Sequence, residues 1–250
     1  MFSHWRAFEP IWMPSAAAGE LEPTLAKAQV VWPKAYRIIR SIYPPVDLFE
    51  DIADPADWEA LASAESKTNP RIWEHLGRLD LVPANRRVSG PGSSYLMAPF
   101  VHVSPDRHGR FTDGTYGVYS VGNQEEVAIR EVAYHHARTM AASQEAEGWT
   151  SQFRMLINRI ELSLCDGRPD EDLHAADSYD VSQKLGAKLR AGGENGILYN
   201  SVRCSGGECA AIFWPNLIEV PVQGDHFEFH WDGNRVDRIR NCRTNAIFTL

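Results

Sequence analysis

The sequence predicts an α+β fold, with helices beside a mostly antiparallel sheet. Three observations predict it. Helical stretches dominate the first half, and short β-rich runs separated by turn residues dominate the second. Strands follow one another without the helix that a parallel βαβ repeat requires between them. No long Gly/Ser/Pro-rich linker divides the chain, so its 250 residues are expected to form one domain, 1–250, with 1–33 as an N-terminal extension.

The elements follow in order. Leu21–Val31 is expected to be a short helix before Pro33, and Tyr36–Ile39 a strand, because apolar and charged residues alternate and two are β-branched. Tyr43-Pro44-Pro45 ends that strand, since proline has no N–H to donate. Asp54 is expected to cap a helix with Pro55 at its first position, placing Trp58, Leu61 and Ala62 on one face. Asn69-Pro70 interrupts it, because proline pushes the preceding residue out of the α region, and Ile72–Leu79 resumes as a second helix. Residues 88–94 read as a loop and Tyr95–Val103 as extended chain.

Asp106–Thr115 is turn-rich, punctuated by Gly109 and Gly114, and leads into a strand over Tyr116–Val121. Asn123 can cap a helix running to about Glu147, with Glu125 and Glu126 favoured by its dipole. Phe153–Leu164 reads as a long strand, and Tyr179–Ala191 as a helix stopped by Gly192-Gly193. Gly196–Tyr199, Cys209–Trp214, Leu217–Val222 and His226–Trp231 are short strands. Asp232-Gly233-Asn234 then turns the chain into Val236–Ile239.

Composition narrows the function. Apolar and charged fractions of 44% and 23% are those of a globular protein. A net charge of −8 argues against broad nucleic-acid binding, though not against a local basic pocket. No apolar run nears the roughly 20 residues that span a bilayer, and Met1–Arg6 lacks a signal-peptide core, so a cytoplasmic location is expected. Cys165, Cys204, Cys209 and Cys242 are expected to be reduced thiols. Cys204 and Cys209 lack a second close ligand pair, and no metal is expected.

Several side chains could carry chemistry. Arg37, on a strand, can grip a phosphate bidentately or be ion-paired. Arg110 sits in a glycine-flanked loop where backbone and guanidinium can meet an anion together. Tyr116 and Tyr119 point to opposite faces of a strand, one to the core and one free to stack on a planar ring. Tyr119 is the pocket candidate, since Gly117 beside it allows a ligand near the backbone. Glu131 falls at the edge of an apolar helix stripe, facing a ligand or pairing with Arg130 or His135. His135 and His136 diverge around the helix and are expected to be structural. Ser201 and Arg203 follow a strand end and can line a pocket. With no Gly-x-Ser-x-Gly elbow, Ser201 reads as a hydrogen-bonding residue rather than a nucleophile. Walker and dinucleotide glycine motifs are absent from the sequence.

Together these stretches resemble the RES-domain family, in its longer form. The resemblance is carried by Tyr36-Arg37-Ile38, Tyr43 through Phe49, Thr68-Asn69-Pro70-Arg71, and Gly109 through Glu131 to His135. It continues in Gly196 through Arg203 and in Ala211-Ile212-Phe213-Trp214-Pro215. One departure is Thr112, where many members have Asn or Ser. The resemblance implies a fold similar to ADP-ribosyltransferase toxins. It implies Arg37, Glu131 and Ser201 as catalytic residues, and Arg37, Arg110, Tyr119, Ser201 and Arg203 as the NAD+ site. It further implies cleavage of the nicotinamide–ribose bond of NAD+ by a toxin, with inorganic phosphate as acceptor, no bound cofactor, and an Xre-like antitoxin as partner. Water as acceptor, making the protein an NAD+ glycohydrolase, protein ADP-ribosylation, or a nucleotide-binding module without catalysis, are the alternatives.

Overall fold

The computed structural model describes residues 25–43, 54, 57–68 and 76–250. Eight strands form one sheet in the order β1-β2-β5-β4-β3-β6-β7-β8. They are β1 (Lys27–Arg40), β2 (Tyr119–Gly122), β3 (Thr150–Asp166), β4 (Gly196–Asn200), β5 (Glu208–Ile212), β6 (Val222–Trp231), β7 (Val236–Asn241) and β8 (Ile247–Thr249). Among the described residues, the α-helices with both ends defined are α1 (Trp58–Glu65), α2 (Ser93–Val101), α3 (Glu125–Ser143) and α4 (Asp180–Ala191). Pairing is antiparallel except between β3 and β4. The fold is therefore mixed α+β, as the order of sequence patterns predicts.

β1 pairs with β2 at Tyr36–Gly122 and with β3 from Lys27–Cys165 to Arg40–Phe153. This double pairing returns β1, β2, β5, β4 and β3 upon themselves. Val30, Tyr119, Val121, Ile160, Leu198 and Ile212 fill the enclosed face, with α2 covering one end through Leu96 and Phe100. Strand alternation sends Ile197, Tyr199, Cys209 and Ala211 to the opposite face, where Phe111 and Phe213 meet them. A third cluster lies under α3, whose Ala128, Ile129 and Ala133 pack on Ile38, Phe153, Phe227 and Phe229. Each such Phe or Ile contributes about 1.5–3 kcal/mol on burial.

Several expectations change. Lys27–Val31 is strand, not helix: it pairs residue by residue with β3, and Pro33 is accommodated in a bulge between Trp32 and Ala35. Tyr95–Val103 is mostly helix. Gly92, at φ 81°, turns the chain into α2, and burial of Leu96, Met97, Phe100 and Val101 follows a helical period that the continuous apolar run conceals. Leu217–Val222 is not a strand, because Pro215–Leu217 forms a 3-10 turn and β6 starts at Val222. α1 begins after Asp57 rather than Asp54 and leaves Leu61 exposed. α3 stops at Ser143, where Gln144 turns left-handed. The readings at Pro44–Pro45, Pro55 and Asn69–Pro70, and residues 72–75 of the Ile72–Leu79 reading, lie outside the described residues, while Gly77 and Arg78 are not helical.

The Asp232-Gly233-Asn234 turn forms as expected: Asp232 Oδ1 accepts from the N–H groups of Asn234 and Arg235, at 2.8 and 2.7 Å. All four cysteines are free thiols. Among the described residues, no helix is long and apolar enough to cross a membrane.

Candidate functional site

The site begins with how closely α3 lies on the sheet. A Cβ at Gly122 would stand 2.8 Å from Val127 Cγ1, and one at Gly207 would also strike Val127. Glycine on both sides therefore admits Val127, which is fully buried. Asn123, expected to cap α3, instead accepts a hydrogen bond from the Glu208 N–H at 3.1 Å, and the helix starts after Gln124.

Val127 fixes the helix one turn before Glu131. Arg130 pairs with Glu126 at 2.8 Å, so it does not neutralise Glu131. The Ser201 hydroxyl donates to Glu131 Oε1 at 2.6 Å. Ser201 Oγ in turn accepts from the N–H groups of Arg203 and Cys204, at 3.2 and 3.0 Å. A hydroxyl has one proton and two lone pairs. Ser201 is thereby fully engaged in holding the carboxylate against the turn after β4. Cys209 Sγ lies 3.9 Å from the same Oε1. Burial, then the charge of Glu131, pushes the Cys209 thiol far above its usual range, and burial does the same to Tyr199. Both stay neutral beside the carboxylate.

Next to this pair stands a cluster of cations and rings. Arg110 is 9% exposed; its Nη1 donates to the carbonyls of Leu173 and Ala175 at 2.7 and 3.0 Å, and its guanidinium covers the Tyr179 ring at 4.7 Å. Arg203 lies 3.3 Å over the Tyr134 ring and donates to the Ala176 carbonyl. Arg138 approaches the same ring at 5.9 Å. His135 lies against Tyr134 and Tyr179, at 5.4 and 6.2 Å between centroids. It keeps an exposed edge, yet crowding, then the charges of Arg138, Arg203, Arg110 and His108, push its pKa down to about 4. At neutral pH its imidazole is uncharged.

The sequence candidates are thus only partly gathered. Glu131 and Ser201 touch, and Arg203 leaves the same turn. Arg37 is elsewhere. Its guanidinium covers the Tyr119 ring at 4.8 Å and its Nη1 donates to the Ser120 carbonyl at 3.0 Å, on the enclosed face that Tyr119 shares with Ile212. Glu131 meets Cys209, which points to the other face. Burial lowers the pKa of Arg37, whose Nε has no partner, but an arginine stays charged.

Tyr119 is wholly buried, and its hydroxyl donates to Asn158 Oδ1 at 2.5 Å. One face of its ring is covered by Arg37, so the ring is core rather than an open stacking surface. Gly117 makes room for protein, not ligand: a Cβ there would strike the Pro99 carbonyl and Phe100 of α2. Tyr116 packs as expected, donating to the Phe111 carbonyl at 2.6 Å. Thr112 bonds the Tyr116 carbonyl and the Gly114 N–H, so it shapes the turn. Of the histidine pair, His136 is structural, 5% exposed between Phe153 and Phe229, whereas His135 faces the cluster.

The sequence reading left out Tyr134, Arg138 and Tyr179. The first two had a signal, because 131, 134, 135 and 138 run down one helical stripe. Tyr179 had none. The open groove lined by Glu59, Arg78, Leu79, Asp80 and Val101 shares no residue with this site.

Residues 85–232 match the family model of the RES domain. The chain belongs to the RES domain family. The matched span of this RES domain protein contains Arg110, Tyr119, Glu131, Ser201 and Arg203, and leaves Arg37 outside. It is 25% identical over 206 residues to uncharacterized protein y4oC of Sinorhizobium fredii (strain NBRC 101917 / NGR234), covering 82% of this chain and 85% of that one. Among solved structures it is similar to the M. tuberculosis MbcT–MbcA toxin–antitoxin complex. That match has a TM-score of 0.41 and 9% identity, over 79% of this chain and 85% of the other.

Proposed function

We propose that this RES domain protein cleaves the bond between nicotinamide and ribose in NAD+, passing ADP-ribose to inorganic phosphate. One observation carries the reading: a carboxylate fixed by a serine at 2.6 Å, immediately beside guanidinium groups packed on aromatic rings. Cleavage of a glycosidic bond passes through a sugar with oxocarbenium character. Nicotinamide leaves as a neutral molecule, so the principal demand is to orient the sugar and stabilise its positive charge. Glu131 supplies a fixed negative charge, because Arg130 is spent on Glu126. Ser201 prevents the carboxylate from rotating away. Arg110 and Arg203 offer positive charge to the phosphates of the dinucleotide, and Tyr134 and Tyr179 offer flat apolar surface. Arg37 and Tyr119 enter through the strands they brace, rather than through direct contact with Glu131.

The same reading takes the sheet as ADP-ribosyltransferase-like and the protein as a cytoplasmic toxin held in check by an Xre-like antitoxin. These follow the family resemblance.

The test is incubation with NAD+, with and without phosphate, and identification of products by mass spectrometry. Nicotinamide and ADP-ribose-1″-phosphate are expected, with Glu131→Gln reducing release at least a hundredfold while the protein stays folded. Free ADP-ribose would assign water as acceptor. Modified protein would assign ADP-ribosyl transfer. Absence of nicotinamide release, or a Glu131→Gln variant with near-normal turnover, overturns the reading.

A further inference from the structure

We infer that His174 is a positioning residue: as a neutral imidazole protonated at Nδ1, it latches the strand end that carries Ser201 to the loop 167–178. The latch stands on geometry alone, and its effect on turnover rests on the NAD+ reading.

β4 loses one neighbour before the chain reaches Ser201. β3 ends at Asp166, opposite Leu198, so Tyr199 and Asn200 run past it. The Asn200 N–H then has no β3 carbonyl to meet. His174 takes the place of the missing strand. Its Nε2 accepts from the Asn200 N–H at 3.0 Å, and its Nδ1 donates to the Asp170 carbonyl at 2.8 Å. A backbone N–H can only donate and a carbonyl can only accept, so one arrangement of protons satisfies both bonds. The proton sits on Nδ1, and the Nε2 lone pair faces Asn200.

Each end of the latch is itself anchored. Ser201 is the next residue after Asn200. Its N–H donates to the Gly207 carbonyl at 2.9 Å, and its hydroxyl holds Glu131. Gly207 thus fixes the turn from the β5 side, and His174 fixes it from the loop side. At the start of the loop Arg168 pairs with Asp166 and Glu208, and its carbonyl accepts from the Asn200 side chain at 3.2 Å. Leu173, beside His174, is fully buried in the core. The carbonyls of Leu173, Ala175 and Ala176 in the same loop hold Arg110 and Arg203. His174 therefore sets the separation between Ser201 and the loop that orients the guanidinium groups.

Two substitutions separate the roles of the ring nitrogens. Glutamine places an oxygen near Nε2 and keeps the acceptor, whereas asparagine reaches only as far as Nδ1 and loses it. Nitrogen NMR of the full chain in mildly alkaline buffer, without NAD+, should show His174 protonated at Nδ1. Exchange of the Asn200 N–H should be slow in the wild type and in His174→Gln, and roughly tenfold faster in His174→Asn. Glu131 faces charge that develops in the transition state, so the loss should appear in kcat. Nicotinamide release by His174→Asn should fall about three- to tenfold in kcat at nearly unchanged KM, and His174→Gln should stay within about twofold of wild type. His174 is partly exposed, so the two variants should melt alike and verify the fold. A proton on Nε2, or Asn200 exchange unchanged in His174→Asn, overturns the latch and leaves the NAD+ reading standing. Equal kcat in the two variants, or a change in KM alone, overturns the positioning role. If the wild type releases no nicotinamide, the NAD+ reading fails, and the NMR and exchange results decide the latch by themselves.

Discussion

Replacing Ser201 with alanine tests whether Glu131 works as a positioned charge. The substitution removes a 2.6 Å hydrogen bond to a carboxylate. Bonds to charged groups contribute about 1.5–3 kcal/mol. At about 1.4 kcal/mol per factor of ten, that corresponds to a loss of roughly 10- to 150-fold in kcat/KM if the bond persists in the transition state. The N–H groups of Arg203 and Cys204 also lose their acceptor. Both residues are partly exposed, so water replaces it and the cost to folding stays small. Nicotinamide release is the assay, run on Ser201→Ala, Glu131→Gln and the double variant. Residues acting as one unit are not additive. The double variant should therefore fall to the level of Glu131→Gln alone. A Ser201→Ala enzyme within threefold of wild type, or losses that multiply, would refute the idea that Ser201 acts through Glu131.

Two further outcomes concern the scaffold. His136 is buried, its Nε2 has no partner, and burial, then the charge of Arg40, lowers its pKa to about 4 from the ordinary 6.5. The unfolded chain therefore binds the proton more readily: this contribution is intact above about pH 6.5 and is lost as pH falls to about 4, by at most about 3 kcal/mol. Urea denaturation from pH 7 to 4 should show that acid limb flattened in His136→Phe; an unchanged slope would remove His136 as its source. Tyr119→Phe should strand the Asn158 carbonyl, which is 3% exposed in its residue, and cost about 1–3 kcal/mol. Melting should shift by several degrees while turnover per folded molecule stays within threefold. A hundredfold loss of turnover at unchanged Tm would show instead that the ring contacts substrate.

Much of this was legible in the chain. The strand alternation of Phe153–Leu164, the Asp232-Gly233-Asn234 turn and the α4 stop at Gly192-Gly193 are local signals, and local signals survive folding. Lys27–Val31 was misread because its strand character comes from β3, more than a hundred positions away. Tyr95–Val103 was misread because an all-apolar run carries no period to distinguish helix from strand. At the site, Glu131 and Ser201 came from pattern and resemblance, but their contact did not. Arg37 looked like a third member, yet which face of a sheet a residue joins depends on register and bulges. The one-residue bulge at Pro33 shifts that parity for everything after it. Tyr179 belongs to the cluster only because α4 begins where it does.

The β1–β3 pairing also sets when the protein can become active. Lys27 waits for Cys165, 138 positions later, before the ring of strands can close. At roughly 5–20 residues per second, a ribosome takes on the order of ten seconds to deliver that partner. Glu131 must wait longer still, since Ser201 and the strand carrying Cys209 follow. Pairings this distant fold slowly. The Glu131–Ser201 pair would thus be unassembled when the chain emerges from the ribosome. Truncation before residue 201 should leave it so, because Glu131 then lacks the hydroxyl that fixes it and Cys209 is absent from beside it.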